Sequence, residues 1–300
     1  MTKKIITVLG ITGTQGGSVA KRFLAIPGWR VRGLTRNPHS AKAKAWTDKG
    51  AEMVKGDYDD LDSLKAAFQG AHAIFAVTDW AANYARDQAR AAGRSLEEYA
   101  GDLETSQGIT VAKAASAPSV LATLKRFVFS TLAAFDSKAA AEKYMREELP
   151  DLGARLSTAT MGIFQETWRD IPAFRPHRLP DGTFESVPIK ANPEVVSTRD
   201  TGAFAEALVL DHPAGTDILG ASEIVTKSEY AALWGRTLGV KVTVREASEE
   251  EYVKYLPEGF EATIVDDLKF FAEFGYSGGN ARVKTPAELG IKTTSLEEFF

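Results

Sequence analysis

The feature that most constrains the fold of this chain is a glycine-rich segment that directly follows a short apolar run. Residues 5–9 are apolar or β-branched and predict a buried strand, and an amphipathic helix is predicted after the glycines. In that position Gly10 would let the chain turn off the strand, Gly13 would let the backbone approach a diphosphate, and Gly16 would let the helix pack closely. The sequence therefore predicts a dinucleotide-binding loop over residues 10–17, with a tight turn that binds no ligand as the alternative.

The position of this loop is more informative than its glycine spacing. The spacing is GxxGxxG rather than GxGxxG, and a glycine pattern alone is weak evidence. The loop nevertheless lies between a predicted strand and a predicted helix, where the first amide groups of the helix and its dipole favour phosphate binding. The residues predicted to contact the cofactor in this loop are Gly10, Thr12, Gly13, Thr14, Gln15 and Gly16.

Arg36, at the end of the second predicted strand, indicates which nucleotide the loop prefers. NAD-specific sites usually carry an acidic residue there, which binds the ribose 2′-hydroxyl and would repel a 2′-phosphate. An arginine can instead pair with that phosphate. The sequence therefore predicts NADP(H) as the cofactor, and a surface arginine without a ligand is the alternative.

Two further pairs of residues follow predicted strands at the same predicted edge of the sheet. We expect Asp57 to accept a hydrogen bond from the adenine amino group, with Tyr58 near the ring. A cap on the following helix is an equally open role for Asp57. Val77 and Thr78 end the fourth predicted strand, where the backbone is expected to run along the nicotinamide-side ribose.

Short apolar strands alternate with amphipathic helices through the first half of the chain. This order predicts an α/β fold of the Rossmann type, with a doubly wound parallel sheet covered on both faces. Residues 1–160 are predicted to form this domain, and residues 190–215 are predicted to return to it. A smaller, mostly helical region is predicted for residues 161–189 and 216–300. Residues 79–101 are polar and alanine-rich, and we interpret them as a helical insertion over a ligand crevice or as a solvated connector.

Lys138 is the candidate for catalysis, but the tyrosine that usually accompanies such a lysine is absent. Short-chain dehydrogenases usually use a Tyr-x-x-x-Lys pair, and here Ala134 occupies the position of the tyrosine. No tyrosine in the chain is followed four residues later by lysine. Lys138 could bind the nicotinamide ribose or donate a proton if burial lowered its pKa. A solvated lysine at the start of a helix is the alternative.

Composition excludes several other functions. With 36 Lys and Arg against 40 Asp and Glu, the net charge is −4, which gives no broad basic face for nucleic acid. The absence of cysteine excludes disulfides, thiolate nucleophiles and cysteine-ligated zinc, and the four histidines are too scattered to predict a metal site. No apolar run approaches the roughly 20 residues of a membrane span, so we expect a cytoplasmic protein without a membrane partner.

Several segments together resemble the NmrA-like family of atypical short-chain dehydrogenases, which is related to isoflavone-reductase-like proteins. The segment at 10–20 is the most specific of them. The others are residues 35–38, 56–60, 127–130, 135–138, 196–202, 274–276 and 293–299. The resemblance spans nearly the whole chain and implies a Rossmann domain that binds NADP(H), with a smaller carboxyl-terminal part. It also implies a cleft for a substrate or partner, with these residues at its walls: Thr131, Lys138, Thr160, Met161, Ile163 and Phe164.

The resemblance leaves two functions open. One is an NADPH-dependent reductase of a small apolar metabolite, such as an aromatic compound, a quinone, an enone or an imine. The other is a dinucleotide sensor that binds a regulatory protein without turnover. The missing tyrosine is compatible with both, and a homodimer is compatible with either.

Overall fold

The computed structural model describes residues 2–84, 93–188, 194–196 and 199–300, and the side chains of residues 170 and 194–196 are not described. The strands in this part of the chain are β1 (Lys4–Val8), β2 (Trp29–Thr35), β3 (Glu52–Lys55), β4 (Ala73–Val77), β5 (Arg126–Thr131), β6 (Leu156–Met161), β7 (Ile163–Phe164), β8 (His177–Arg178), β9 (Phe184–Ser186), β10 (Glu194–Val196), β11 (Asp217–Gly220), β12 (Glu223–Ile224), β13 (Val242–Val244) and β14 (Val283–Lys284).

The helices of the same part are α1 (Thr14–Leu24), α2 (Ala41–Thr47), α3 (Leu61–Phe68), α4 (Trp80–Tyr84), α5 (Leu96–Ala115), α6 (Pro118–Leu121), α7 (Asp136–Glu147), α8 (Pro150–Gly153), α9 (Thr167–Asp170), α10 (Thr201–Glu206), α11 (Lys227–Leu238), α12 (Glu249–Tyr252), α13 (Glu261–Phe274) and α14 (Leu296–Phe299). Two short 3-10 helices span Pro172–Phe174 and Val253–Tyr255, and a π-helical turn spans Ala207–Asp211.

Eight parallel strands form one large sheet in the order β14-β11-β6-β5-β4-β1-β2-β3. The chain runs outward from β1 to β3 and then returns to β4 on the other side of β1. The order therefore reverses between β1 and β4, and in sheets of this kind the crevice at the carboxyl ends of those strands binds ligands. This architecture confirms the predicted Rossmann-type fold.

Apolar side chains cover both faces of the sheet. Along β5, Phe127 and Phe129 belong to one core cluster, whereas Val128 belongs to the cluster on the opposite face. The first cluster packs against α3, α5 and α7, and the second packs against α1 and α10. Burial on both faces explains why β4 and the middle of β5 are uniformly apolar rather than alternating.

The predicted boundary of the smaller region is wrong at two strands. Residues 216–300 were expected to lie outside the large sheet, but β11 and β14 both join it beyond β6. β11 has only four residues, all buried, and β14 has two. Runs this short carry no period-two pattern, so sequence reasoning could not separate them from loops.

The rest of the carboxyl-terminal half packs beside the carboxyl end of the sheet and contains both helices and short strands. Two three-stranded sheets, β12-β10-β7 and β13-β9-β8, accompany α11 and α13. A small core gathers Tyr252, Leu256, Val265 and Leu268. Within the described residues, no helix combines the length and the apolar character that a membrane span requires.

Candidate functional site

The glycine loop adopts a conformation that needs glycine at two positions. Gly10 leaves β1 with a φ of +64°, in the left-handed region that favours glycine. Gly13 donates its amide to the Gly10 carbonyl oxygen at 2.9 Å and closes the turn. A Cβ at Gly16 would overlap the Gly10 carbonyl group and the Leu9 carbonyl oxygen, so the start of α1 lies directly against the end of β1.

No side chain caps the start of α1, so the amide groups of its first turn receive no hydrogen-bond partner from a capping residue. Gly13 is the N-cap residue, it makes no side-chain cap, and the turn carries no acidic residue. The amides of Thr14, Gln15 and Gly16 therefore lack a partner within the helix and mark the positive end of its dipole. Side chains cap the starts of α2, α3, α5 and α11, whereas α7, α10 and α13 also begin without such a cap. What distinguishes α1 is that it follows the glycine turn at the point where the strand order reverses. The geometry of α1 suits a diphosphate.

Gln15 is held by a residue that sequence reasoning did not find. Its Oε1 accepts a hydrogen bond of 2.7 Å from the Ser130 hydroxyl at the carboxyl end of β5. Ser130 is buried. The bond fixes the Gln15 side chain across the sheet edge while leaving its backbone amide in the first turn of α1. Ser130 lies in a segment singled out for resemblance, 127–130, but no chemical pattern in the sequence pointed to this contact.

Arg36 is exposed on the loop after β2 and makes no ion pair with any described residue. The loop itself is fixed locally: Asn37 accepts a hydrogen bond from the His39 amide at 3.0 Å, and Ser40 caps α2. The guanidinium lies close enough to Tyr58 to lower the pKa of that phenol slightly, against the larger effect of burial. The positive charge of Arg36 is therefore available at the predicted position of the 2′-phosphate.

The two open roles of Asp57 are separated by the structure. The cap of α3 is Asp60, whose carboxylate accepts hydrogen bonds from the amides of Asp62 and Ser63. Asp57 accepts one bond at 3.2 Å from the Asp59 amide in the preceding turn, and its own amide donates to the Ser63 hydroxyl. Asp57 is therefore not the helix cap, and adenine recognition stays a prediction.

The phenol of Tyr58, on the loop after β3, is hydrogen-bonded to the carboxyl end of β4. Its hydroxyl donates to the Val77 carbonyl oxygen at 3.0 Å, and burial raises the pKa of the phenol far above its ordinary value. Tyr58 is thus neutral and anchors the loop after β3 to the end of β4. Val77 also contacts the glycine loop, because its Cγ1 lies 2.9 Å from where a Cβ of Gly10 would be.

Lys138 lies in a buried polar cluster at the end of β4. Its Nζ donates to the Thr78 carbonyl oxygen at 3.0 Å, to the Thr78 Oγ1 at 2.8 Å and to the Glu104 Oε1 at 2.6 Å. The side chain of Lys138 is only 12% exposed and that of Glu104 is fully buried. The alternative of a solvated lysine is therefore wrong. An ammonium group has three N–H donors, and all three are engaged.

Glu104 is the functional candidate that the sequence analysis missed. The Ser137 hydroxyl donates to its Oε2, so both carboxylate oxygens are engaged. Glu104 meets Lys138 because α5 and α7 approach closely one turn further on: a Cβ at Gly108 would lie 2.6 Å from the Ala141 Cβ. The buried face of α5, at helical spacing, contains Glu104, Gln107, Gly108 and Val111. That spacing was the available signal, since a charged residue on an apolar face indicates a paired charge.

The predicted cleft residues are divided between the sheet edge and the core. Thr131 and Thr160 are buried and opposite each other at the ends of β5 and β6. Met161 is 3% exposed and packs in the core against Gly220, so it lies beneath the edge. Ile163 and Phe164 are half-buried and pack in two different clusters, because successive residues of a strand point to opposite sides.

A cavity of about 660 Å³ opens beside the lysine cluster. It lies between the start of α5, the turn that leads from β5 into α7, and α13. Among the residues that line it are Trp80, Thr105, Phe135, Ser137, Thr263 and Asp267. Thr105 donates a hydrogen bond to the Ser137 carbonyl oxygen, and Ser137 contacts Glu104, so one wall of the cavity adjoins the lysine cluster.

An aromatic cluster connects the wall of this cavity to the carboxyl-terminal region. The ring of Trp80 lies 5.1 Å from Tyr84, 6.0 Å from Phe135 and 5.8 Å from Phe260, measured between centroids. The Tyr84 hydroxyl donates to the Gly259 carbonyl oxygen at 2.9 Å. Part of the predicted insertion at 79–101 therefore forms helices beside the cavity, whereas its residues 85–92 lie outside the described residues.

The segment at 196–202 is described only in part, because Ser197 and Thr198 lie outside the described residues. Asp200 accepts hydrogen bonds from the Ser222 hydroxyl and from the amide and hydroxyl groups of Thr294. Gly202 packs against α1, where its amide donates to the Ser18 hydroxyl at 3.0 Å. This segment therefore holds α10 against α1.

A family model described as the NmrA-like family matches residues 2–300. The chain belongs to the NmrA-like family. This match confirms the resemblance predicted from the sequence. The chain is also similar to the NmrA-like family domain-containing oxidoreductase hkm9 of Aspergillus hancockii, with 45% identity over 74 residues. That similarity spans 25% of this NmrA-like chain and 22% of the relative, about a quarter of each.

Two solved structures share the fold of this NmrA-like protein. The NADPH-dependent quinone oxidoreductase QOR2 from Escherichia coli, solved with NADPH, has a TM-score of 0.69 at 22% identity over 98% of both chains. NmrA, a negative transcriptional regulator solved with NADP, has a TM-score of 0.65 at 19% identity, covering 93% of this chain and 83% of its own. The predicted cofactor agrees with both neighbours. One is an oxidoreductase and the other a regulator, so the shared fold alone does not choose between the two functions.

Proposed function

We propose that this NmrA-like protein binds NADP(H) along the carboxyl edge of its large sheet and reduces a small, largely apolar metabolite with it. The observation that carries the proposal is the start of α1, whose first-turn amides have no capping side chain and lie at the switch point of the sheet. The fit extends to Gly16, where a Cβ would overlap Gly10, and to Arg36, which makes no ion pair with a described residue.

Each part of the edge would hold one part of the nucleotide. The amides of Thr14, Gln15 and Gly16 would bind the diphosphate, with Gly10, Thr12 and Gly13 shaping the loop around it. Arg36 would pair with the 2′-phosphate. The remaining residues proposed to contact the cofactor are Asp57, Tyr58, Val77, Thr78, Lys138 and Thr160.

When bound, the cofactor supplies a hydride, and the residues of this chain would position the acceptor. Lys138 and Glu104 hold the end of β4 at Thr78, next to the cavity, where Thr131 ends β5. The substrate would enter by way of the cavity, whose aromatic side chains exclude water from one wall. That the curated relative hkm9 is named an oxidoreductase supports this proposal.

A second function is favoured by one observation. All three N–H groups of Lys138 are engaged with Thr78 and Glu104, so the lysine has no free proton for a substrate in this state. A dinucleotide sensor needs no proton donor, and the regulator NmrA shares the fold. In that case, the cavity and its aromatic cluster would form part of a surface for a partner protein.

One experiment distinguishes the reductase from the sensor. The purified protein is mixed with NADPH and a panel of quinones, enones and imines, and loss of the reduced nicotinamide absorbance is followed. Turnover of at least one class is the result expected for the reductase. It should be lowered strongly in a Lys138→Ala protein that circular dichroism shows to be folded, but not by the exposed control Lys143→Ala. NADPH binding without oxidation by any compound would overturn the reductase proposal in favour of the sensor.

A further inference from the structure

Reduction of a neutral quinone, enone or imine needs a proton as well as a hydride, and the lysine cluster offers no free proton. Lys138 donates all three of its N–H groups to Thr78 and Glu104. Ala134 occupies the position where short-chain dehydrogenases usually carry a proton-donating tyrosine. The proposed reductase therefore requires a proton donor elsewhere around the cavity.

The titratable side chains on the described walls of the cavity are almost all carboxyls. They belong to Glu97, Glu98, Asp102, Asp136 and Asp267, and the one basic side chain among the described lining residues is Arg94. The cavity is therefore acidic, although the chain as a whole is nearly balanced in charge. The described walls hold no histidine, cysteine, lysine or tyrosine, so a carboxyl is the group there that could release a proton near neutral pH.

All but one of these carboxyls have a partner or a position that favours negative charge. Glu97 and Glu98 lie in the first turn of α5, and Asp136 lies in the first turn of α7. The dipole of a helix favours negative charge at its start. Asp102 pairs with Arg94. These groups are poor candidates for a proton donor at neutral pH.

Asp267, by contrast, has no group that favours its negative charge. It is half-buried in the middle of α13 and makes no hydrogen bond or ion pair with another described residue. Burial, with a smaller effect from Asp266, raises the pKa of this carboxyl to about 7. A carboxyl of this kind holds a proton at neutral pH and can still release it, which is the property that a general acid needs.

The cavity places Asp267 across from the lysine cluster's wall. Ser137 lines the cavity and donates to Glu104, so the lysine cluster adjoins one wall, whereas α13 forms another. The space of about 660 Å³ between these walls is of the size that small ligands occupy. With the cofactor bound along the sheet edge as proposed, a substrate in the cavity would have the hydride donor on one side and Asp267 on another.

The charged groups around Asp267 decide how its proton titrates. Its own helix contributes Asp266, while Lys269 of that helix pairs with Glu249 of α12. In the core cluster beneath α13, Tyr252 stays neutral because burial raises the pKa of its phenol. The charges that face Asp267 across the cavity are those of Glu97, Glu98, Asp102, Asp136 and Arg94. Negative charges predominate, which disfavours the ionised form of a further carboxyl.

We propose that Asp267 is the proton donor of the reductase and that it serves a neutral substrate of the enone class, whose carbonyl oxygen faces α13. The proposal rests on the proposed NADPH-dependent reductase. In the reaction, the β-carbon of the enone gains the hydride and forms a C–H bond, and the π electrons move to the carbonyl oxygen. The O–H bond of Asp267 breaks and its proton passes to that oxygen. The products are NADP⁺, the Asp267 carboxylate, which takes up a proton from water, and an enol, which becomes the saturated ketone.

The first test is the pH profile of turnover with saturating NADPH and an enone that the protein reduces. The kcat of the wild type is expected to be constant below about pH 6 and to fall about tenfold per pH unit above about pH 7, because the donor is then ionised. Asp267→Asn should lower kcat about 100-fold at about pH 6 and abolish the fall, with NADPH affinity unchanged. Asp267→Glu, which keeps the acid, should recover part of kcat. Wild-type kcat and pH profile in Asp267→Asn would overturn the proposal.

Two variants on the same helix serve as controls. Asp266→Asn removes the neighbouring charge that helps to raise the pKa of Asp267, so it should keep the low-pH plateau of kcat and move the fall to lower pH. Glu273→Gln, exposed and further along α13, should leave the profile unchanged. A fall in kcat that persists in Asp267→Asn, or that Asp266→Asn moves to higher pH, would assign the titrating acid to another group and contradict the proposal.

A second measurement needs no substrate. NMR of the full chain labelled at its aspartate carboxyl carbons should show one signal that titrates with a midpoint at about pH 7 and that is missing in Asp267→Asn. Titration of every aspartate below about pH 5 would overturn the proposal whether or not a substrate is found.

These outcomes separate failure of this proposal from failure of the proposed function. If the wild type reduces an enone and Asp267→Asn does so equally well, the proton donor is wrong and the reductase stands. If NADPH binds but no compound is reduced, the reductase fails and the role of Asp267 fails with it. Turnover whose pH dependence follows the titration of the Asp267 signal is the result expected here.

Discussion

The two ends of the proposed cofactor site differ in how their polar groups are satisfied. At the glycine loop, the first amides of α1 lack a capping side chain and Arg36 makes no ion pair with a described residue. At the lysine cluster, Lys138, Glu104, Thr78 and Ser137 satisfy one another. The first end is therefore prepared for a ligand that supplies negative charge, whereas the second end holds its geometry without one.

This contrast has an energetic meaning. Exposed, unpaired groups cost little while water solvates them, and they can gain a full charge-assisted hydrogen bond when a phosphate arrives. A buried ion pair cannot exchange partners as cheaply, because removing one member leaves the other charged and desolvated. We therefore expect substitutions at the loop to alter binding and substitutions in the lysine cluster to alter stability first.

The largest expected effect is on the lysine cluster. Glu104→Gln leaves the buried ammonium of Lys138 without a compensating charge, which should lower the free energy of unfolding by about 3 kcal/mol. Urea unfolding measures the change. Combining it with Lys138→Met should recover part of the loss, because the uncompensated charge is then absent. A loss below about 0.5 kcal/mol would mean that the pair is not coupled as its geometry indicates.

The next effect belongs to the loop end and concerns nucleotide preference. Arg36→Ala removes a charged partner of the 2′-phosphate and should weaken NADPH binding by about 2 kcal/mol, roughly 30-fold, while leaving NADH nearly unchanged. Calorimetry with both nucleotides measures the difference. Arg282→Ala, also exposed, is the control and should change neither affinity. Equal weakening of both nucleotides by Arg36→Ala would refute the role of Arg36.

A smaller effect on stability is expected at the hydrogen bond between Tyr58 and Val77, which lies between the glycine loop and the lysine cluster. Tyr58→Phe removes the hydrogen bond to the Val77 carbonyl oxygen but keeps the ring, so stability should fall by about 1 kcal/mol. Thermal unfolding followed by circular dichroism measures this. If NADPH affinity falls more than stability, then the bond also shapes the cofactor edge; an unchanged unfolding temperature would show that the bond contributes nothing.

An effect of a different kind, a dependence of stability on pH, is expected at the cavity. The pKa of Asp267 is about 7 in the folded chain against an ordinary value of 3.8, so the folded state holds this proton more tightly. Its contribution to stability is fully present below about pH 4 and is lost as the pH rises to 7. Asp267→Asn should therefore be more stable than the wild type at pH 8 and equal to it at pH 4. The neighbouring charges are those of Asp266, Glu97, Asp102, Asp136 and Arg94.

A loss of stability in Asp267→Asn would contradict this interpretation of Asp267. If Asp267→Asn destabilises the protein at pH 8, the carboxylate is a structural partner rather than an unsatisfied group held for a ligand. A gain in stability at pH 8 would be typical of a side chain that is retained for function rather than for stability.

The sequence predicted the loop end well because that end depends on neighbouring residues. The turn at Gly10, the close contact at Gly16 and the start of α1 follow from a strand, glycines and a helix in succession. Most of the large sheet was predictable for the same reason, since β1, β2, β4 and β5 are long enough to show their apolar pattern.

The lysine end depends on residues far apart in the chain, and it was predicted only in part. Lys138 was found as a candidate, but its partner Glu104 lies on another helix and is brought there by the contact of Gly108 with Ala141. The acidic cavity needs α5, α7 and α13 together. β11 and β14 were missed because two to four residues show no periodicity.

The most direct test of the central claim is NADPH binding to the wild type and to Gly13→Ala. The backbone of Gly13 is extended, with a φ of −98°, and a Cβ there would meet the Gly10 carbonyl oxygen at 3.3 Å, so the variant should fold with only a small adjustment. In the proposed mode of binding, its methyl group would occupy space that the diphosphate needs. We predict that calorimetry detects NADPH binding to the wild type and its loss in a folded Gly13→Ala protein. Absence of binding to the wild type, or unchanged binding to the variant, would contradict the account.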